Sequence, residues 1–124
     1  MQQKFYLCKY CGNVISLIRD KGVPVYCCSE EMQEIIPETT EASKEKHIPV
    51  YDVDGNTIHV TVGAVEHTMT EEHYIEWICL ETEHVIQYTH LDPTDKPKAK
   101  FALCAGDEVQ AVYAFCNQHN LWRK

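Results

Sequence analysis

No stretch of the 124 residues stays apolar for anything near the roughly 20 positions a membrane-spanning helix requires. Positive charge is also scarce. Eleven Lys and Arg face 19 Asp and Glu, a formal charge of −8, which argues against nucleic acid as the main partner. The leading segment MQQKFYLCKYCGN contains no apolar h-region, so a reducing cytoplasm is the expected compartment. Helical periodicity is missing throughout, and no repeat or low-complexity tract appears. Disorder is excluded as well, because 44% of residues are hydrophobic and 24% charged. Against these absences stand 7 Cys and 7 His, the informative feature of the chain.

Texture divides the chain into three regions. Residues 1–36 are cysteine-rich and poor in apolar bulk, so a bound metal is expected to substitute for a core. Residues 37–46, PETTEASKEK, read as a polar linker or exposed loop. From His47 onward the pattern is β. Ile58, Val60 and Val62 alternate with Thr57, His59 and Thr61, and Asp54-Gly55 signals a hairpin before them. Residues 74–90, rich in β-branched and aromatic side chains, predict one long strand or two short ones. Ala105-Gly106-Asp107 is expected to join KAKFALC to EVQAVYAFC as a second hairpin. The fold class that follows is mainly β, a small antiparallel sandwich behind a metal-clipped knuckle.

Cys8 and Cys11 form a CxxC, with fifteen residues before the adjacent pair Cys27-Cys28. Four thiolates around one tetrahedral ion suit zinc or iron, and spacing does not choose between them. Successive side chains point apart, so Cys27 and Cys28 can reach one ion only across a sharp backbone bend. Seven cysteines would leave one over in a full disulfide framework.

Five further donors stand out. Cys116-Asn117-Gln118-His119 is a CxxH, whose ends can chelate one ion from a single turn. His67 and His73 bracket the polar loop TMTEE, and His47 sits where linker meets strand. All fall at element ends, where a sandwich gathers its loops. His59, between two threonines, reads as plain surface, and His84 and His90 as solvated or packed. Cys79 and Cys104 read as small buried hydrophobes. Cys116 would fit that description too, were it not for its spacing from His119.

The motifs CKYCG, VYCCSEEM, EKHIP, EHTM and CNQHNLW, in this order, resemble those of desulfoferrodoxin, the two-iron class of superoxide reductase. The resemblance spans essentially the whole chain. It implies a desulforedoxin-like amino-terminal domain over 1–36, a linker and active-site loop over 37–46, and an immunoglobulin-like catalytic sandwich over 47–124. It implies two iron ions per chain. Cys8, Cys11, Cys27 and Cys28 would hold an Fe(Cys)4 centre. His47, His67, His73 and His119, with Cys116 axial, would hold the catalytic iron and leave its sixth position open. Glu45 and Lys46 match the family's acid–base loop. The implied reaction is one-electron reduction of superoxide to hydrogen peroxide, with a rubredoxin-type donor restoring the electron and a homodimer as the assembly. No nucleic acid or membrane is implied.

Three positions depart from the family pattern. Thr68 and Asn120 stand where Pro and Gly are common, and Ser29 where Gly often follows the cysteine pair. None removes a donor. Asn tolerates positive φ better than most residues, so Asn120 is expected to hold a turn meant for Gly. A pure electron carrier is the rival reading, but it leaves the histidine set and Cys116 unexplained.

Overall fold

The computed structural model describes residues 2–40 and 47–124. Glu45 and Lys46 lie outside the described residues. Contacts divide the chain into two compact units, Met1–Ile36 and Pro37–Lys124. The fold is mainly β. Among the described residues there is no helix, hence none long and apolar enough to cross a membrane.

The first unit holds five short strands: β1 (Phe5–Leu7), β2 (Val14–Ser16), β3 (Tyr26–Cys27), β4 (Glu30–Glu31) and β5 (Gln33–Ile35). β1 lies between β2 and β5 in an antiparallel sheet, and β3 pairs with β4 as a separate ribbon. Only Phe5, Cys8 and Met32 are buried apolar side chains among its described residues. So small a core leaves little apolar burial to offset the entropy of ordering this segment.

The bend required of the adjacent cysteines is a two-residue turn. Cys27 pairs with Glu30, so Cys28 and Ser29 form the loop, with φ of 53° and 62°. Positive φ at both central residues is the signature of a type I′ hairpin turn, which usually takes Asn-Gly. Cys28 and Ser29 occupy it as non-glycine residues, against the preference of L-amino acids.

The second unit is an immunoglobulin-like antiparallel sandwich. One sheet, in the order β10-β7-β6, comprises β6 (Pro49–Asp54), β7 (Thr57–Val62) and β10 (Lys98–Ala102). The other, in the order β12-β11-β8-β9, comprises β8 (Ile75–Thr82), β9 (Ile86–His90), β11 (Val109–Cys116) and β12 (Asn120–Arg123). The core between them takes Ile58, Val60 and Val62 from β7, Ile78 and Leu80 from β8, Phe101 from β10, and Val112, Ala114 and Cys116 from β11. β7 alternates as its sequence predicts, each apolar residue buried and each Thr or His half-exposed. β8 and β11 are buried on both faces, with Trp77 stacked on Phe115 at 5.4 Å and 2°. The β6–β7 hairpin turns at Gly55-Asn56, with Gly55 at φ 60° as its first central residue.

Two expectations are corrected. Ala105-Gly106-Asp107 closes no hairpin: β10 pairs with β7, β11 with β8, and the turn carries the chain from one sheet to the other. The local turn signal was sound, since Asp107 N donates to Cys104 O at 3.0 Å. Local signals do not say whether the flanking strands pair with each other. Cys104 is exposed, because β10 ends at Ala102 after its last core residue, Phe101. Cys79 is buried as expected, and burial pushes its thiol up to about 12.

The strained turn yields a test. At a φ of 62°, Ser29→Gly should give a more stable chain than Ser29→Ala, by about 1 kcal/mol. Urea midpoints of the metal-loaded proteins measure the difference; equal midpoints would mean that this turn is not held in the left-handed region.

Candidate metal centres

In the first unit the knuckle Cys8–Cys11 is closed by Gly12 N donating to Cys8 O at 2.8 Å and Cys8 N to Asn13 O at 2.9 Å. Gly12 takes φ 83°, which only glycine adopts without cost. The sulfurs of Cys8, Cys11, Cys27 and Cys28 all lie within 4.8 Å of one another. Cys11 Sγ and Cys27 Sγ are 3.6 Å apart, and all four thiols are free. That separation is far beyond a disulfide bond of about 2.05 Å. It is close to the edge of a tetrahedron with metal–sulfur bonds of about 2.3 Å, roughly 3.8 Å.

Backbone and thiol contacts set the acidity of the group. The Cys11 backbone N–H, aimed at the Cys8 sulfur, lowers that thiol to about 6, with burial opposing. Hydrogen bonds shared with Cys11 and then Cys8 push the Cys27 and Cys28 thiols up. Asn13 Nδ2 donates to Cys27 Sγ at 3.6 Å and supports negative charge there.

The second group is assembled by strand register. In the first sheet Pro49, at the start of β6, pairs with Val62, at the end of β7. In the second sheet Cys116, at the end of β11, pairs with Ile75 at the start of β8 and Asn120 at the start of β12. The loops carrying His47, His67, His73 and His119 therefore emerge at strand ends that share one end of the sandwich.

Every ligand atom of His47, His67, His73 and Cys116 lies within 4.8 Å of the others. His119 stands at the rim of this set, its Nδ1 3.1 Å from His47 Nε2 and 3.7 Å from Cys116 Sγ. The four rings form a square. Neighbouring centroids are 4.7 Å apart for His47–His67, 4.8 Å for His67–His73, 5.1 Å for His73–His119 and 4.8 Å for His119–His47. The His47–His73 diagonal is 6.5 Å.

These dimensions and this chemistry fit a transition-metal ion. Two cis nitrogens at about 2.1 Å from an ion lie about 3.0 Å apart, close to the His47–His119 separation. A square of imidazoles with one thiolate is a donor set for an ion that accepts five protein ligands, more than the four zinc prefers in structural sites. Cys116, His47 and His67 are buried, His73 is half-buried and His119 is exposed, so the group opens to solvent on one side.

Surrounding contacts orient the rings. His67 Nδ1 donates to Thr68 O at 2.7 Å, which leaves the Nε2 lone pair for a metal. A backbone carbonyl makes this contact, so it does not depend on the Pro-to-Thr exchange at Thr68. Asn120 adopts φ 63° where the β11–β12 turn closes. Trp122 stacks on the His47 ring at 4.6 Å and 13°, and its Nε1 donates to His119 O at 3.0 Å. Trp122 was not foreseen; the nearest sequence signal is its place two residues beyond the positive-φ turn.

The remaining histidines stay outside this group. His59 is half-buried and His90 exposed. A third set, Glu83, His84 and Asp107, also lies within 4.8 Å. Its Asp107 serves the β8–β9 turn, accepting from Thr82 Oγ1 at 2.6 Å and from Glu108 N at 2.9 Å. Hydrogen bonding from Thr82 lowers the Asp107 carboxyl.

The model of the family described as Desulfoferrodoxin matches residues 39–124. A desulfoferrodoxin from Clostridium acetobutylicum is 42% identical over 118 residues, 95% of this chain and 92% of its own. The chain belongs to the desulfoferrodoxin family. A desulfoferrodoxin homolog from Archaeoglobus fulgidus is 40% identical across 95% of the chain and 93% of its own. Among solved structures, a superoxide reductase from Treponema pallidum superposes with a TM-score of 0.86 at 38% identity, covering 99% of this chain and 98% of that one. A superoxide reductase (1Fe-SOR) from Giardia intestinalis, 29% identical, matches with a TM-score of 0.58 over 65% of this chain and 96% of its own. Family membership implies iron, and the two donor groups can each hold one metal ion.

Proton release checks the first group. Because the Cys27 and Cys28 thiols are raised, both are protonated at pH 7 and must deprotonate to bind metal, whereas Cys8, at about 6, is already mostly thiolate. Loading that site at pH 7 should release at least two protons per ion and weaken as pH falls. An indicator dye in weak buffer counts them; release of fewer than two would overturn this acidity pattern.

Proposed function

We propose that the chain is a superoxide reductase, reducing superoxide by one electron to hydrogen peroxide at iron held by His47, His67, His73, His119 and Cys116. The observation that carries the reading is the square of four imidazoles beside the buried Cys116, open on one side. The full-length likeness to the Treponema pallidum superoxide reductase supports it. Cys8, Cys11, Cys27 and Cys28 hold the second iron in a desulforedoxin-like domain over 1–36, and residues 37–46 form the active-site loop before a catalytic domain over 47–124.

When bound, ferrous iron supplies the electron and one open coordination position. The surrounding residues set the electrostatics. The chain is acidic overall, at −8, which disfavours approach of an anion. Salt screens that field beyond roughly 8–10 Å, so charge close to the site matters most. Ferrous iron with one thiolate is net cationic, and Lys46, next in the chain to His47, adds a positive charge. Lys46 would also order the water that supplies protons, and Glu45 would offer a carboxylate as a further ligand to the metal. Cys116, at the end of a core strand, donates electron density from an apolar environment, the same lever as a thiolate on haem iron.

Reduction of superoxide consumes one electron and two protons and yields hydrogen peroxide. The electron is restored by an external donor of rubredoxin type. The assembly is a homodimer and the compartment the cytoplasm.

Stoichiometry tests the reading. Purified chain should contain two irons, consume one donor electron per superoxide and evolve no oxygen. Evolution of oxygen would indicate dismutation, and two zincs in native protein a structural module; either overturns the proposal. Cys116→Ser should abolish both turnover and the thiolate-to-iron charge-transfer band, and a surviving band would reject the ligand assignment.

A further inference from the structure

The two residues inside the CxxH motif do more than set its spacing. Asn117 Nδ2 donates to Glu72 O at 3.0 Å, and Asn117 Oδ1 accepts from Tyr74 N at 3.0 Å. Asn117 N donates to Tyr74 O at 3.1 Å, and Gln118 Nε2 donates to Glu72 O at 2.6 Å. Each bond therefore lands on the residue immediately before or after His73. The backbone of His73 is tied to its own loop, with reciprocal bonds to Thr70 at 2.9 and 3.2 Å. Those local bonds shape a turn but cannot place it against β11. The bonds from Asn117 and Gln118 do so, across more than 40 residues of sequence.

We propose that Asn117 and Gln118 are positioning residues that hold His73 in register with Cys116 and His119, so that the ligand square is assembled before metal arrives. This rests on the reading that the second group binds metal. The chemistry is specific to an amide at position 117. Tyr74 N–H needs an acceptor and Glu72 C=O needs a donor, which one carboxamide provides together. A carboxylate of the same shape would satisfy Tyr74 and set charge against the Glu72 carbonyl. Gln118 is exposed and adds a second donor to the same carbonyl.

The test uses the full chain loaded with iron, as wild type and as Asn117→Asp, Asn117→Ala and Gln118→Ala. Transfer of metal to a chelator is followed through the thiolate band of the second site, with the Fe(Cys)4 absorption of the same sample as control. Loss of groups that orient a ligand typically costs about 10–100-fold in metal affinity. Asn117→Asp and Asn117→Ala should therefore release the second metal at least about tenfold faster, and Gln118→Ala by a smaller factor, while the Fe(Cys)4 band decays at the wild-type rate. Wild-type release from both Asn117 variants overturns the proposal. So does equal acceleration at both centres, which would mean general loosening of the fold. If the wild type takes up metal only at the cysteine centre, the parent reading fails, and that result is separable from the others.

Discussion

Antiparallel pairing decides where the chemistry of the second unit can occur. Once Pro49 lies opposite Val62, and Cys116 opposite Ile75 and Asn120, four loops must open at one end of the sandwich. A slip of one residue in either sheet would move Val60 or Ala114 out of the core and carry the donors with it. Burial of the inner faces and convergence of the ligands are thus one constraint. Cys116 shows the connection most directly, as a member of both the hydrophobic core cluster and the donor group.

The two units solve the problem of ordering a polypeptide in different ways. The second buries aliphatic side chains between two sheets, with Cys116 inside that core and the histidine donors in loops at the strand ends. The first has three buried apolar side chains among its described residues and four sulfurs around a common point. Its turn at Cys28-Ser29 carries two consecutive positive φ values on non-glycine residues. Such a conformation persists when the surroundings over-determine it, and tetrahedral ligation by both Cys27 and Cys28 would supply that demand. The hydrogen bonds around the sulfurs hold Cys8 ready to ligate but leave Cys27 and Cys28 protonated until metal displaces the protons.

Much was legible in the sequence because its signals are local. The alternation in β7, the Asp54-Gly55 turn, the need for a bend at Cys27-Cys28 and the tolerance of Asn120 for positive φ each involve a few neighbouring residues. The failures share a cause. The Ala105–Asp107 turn looked like a hairpin because turn chemistry does not record which strand the next one will pair with. Cys104 looked buried because alternation in FALC does not reveal that the strand ends at Ala102. Trp122 and Asn117 act on ligands through contacts whose partners lie elsewhere in the chain, and no spacing rule exposes them.

The order of the amino acids by itself determined the inventory: β strands, an S4 knuckle, a CxxH, histidines at strand ends, and too little apolar bulk in the first 36 residues to fold without metal. Tertiary structure alone decided how the four imidazoles singled out at strand ends face one another in a square, which side of that square stays open, and which side chains brace it. The physical reason is distance along the chain. Side-chain type and local periodicity are properties of neighbours, whereas a site built from positions 47 to 119 exists only after two sheets have paired and closed.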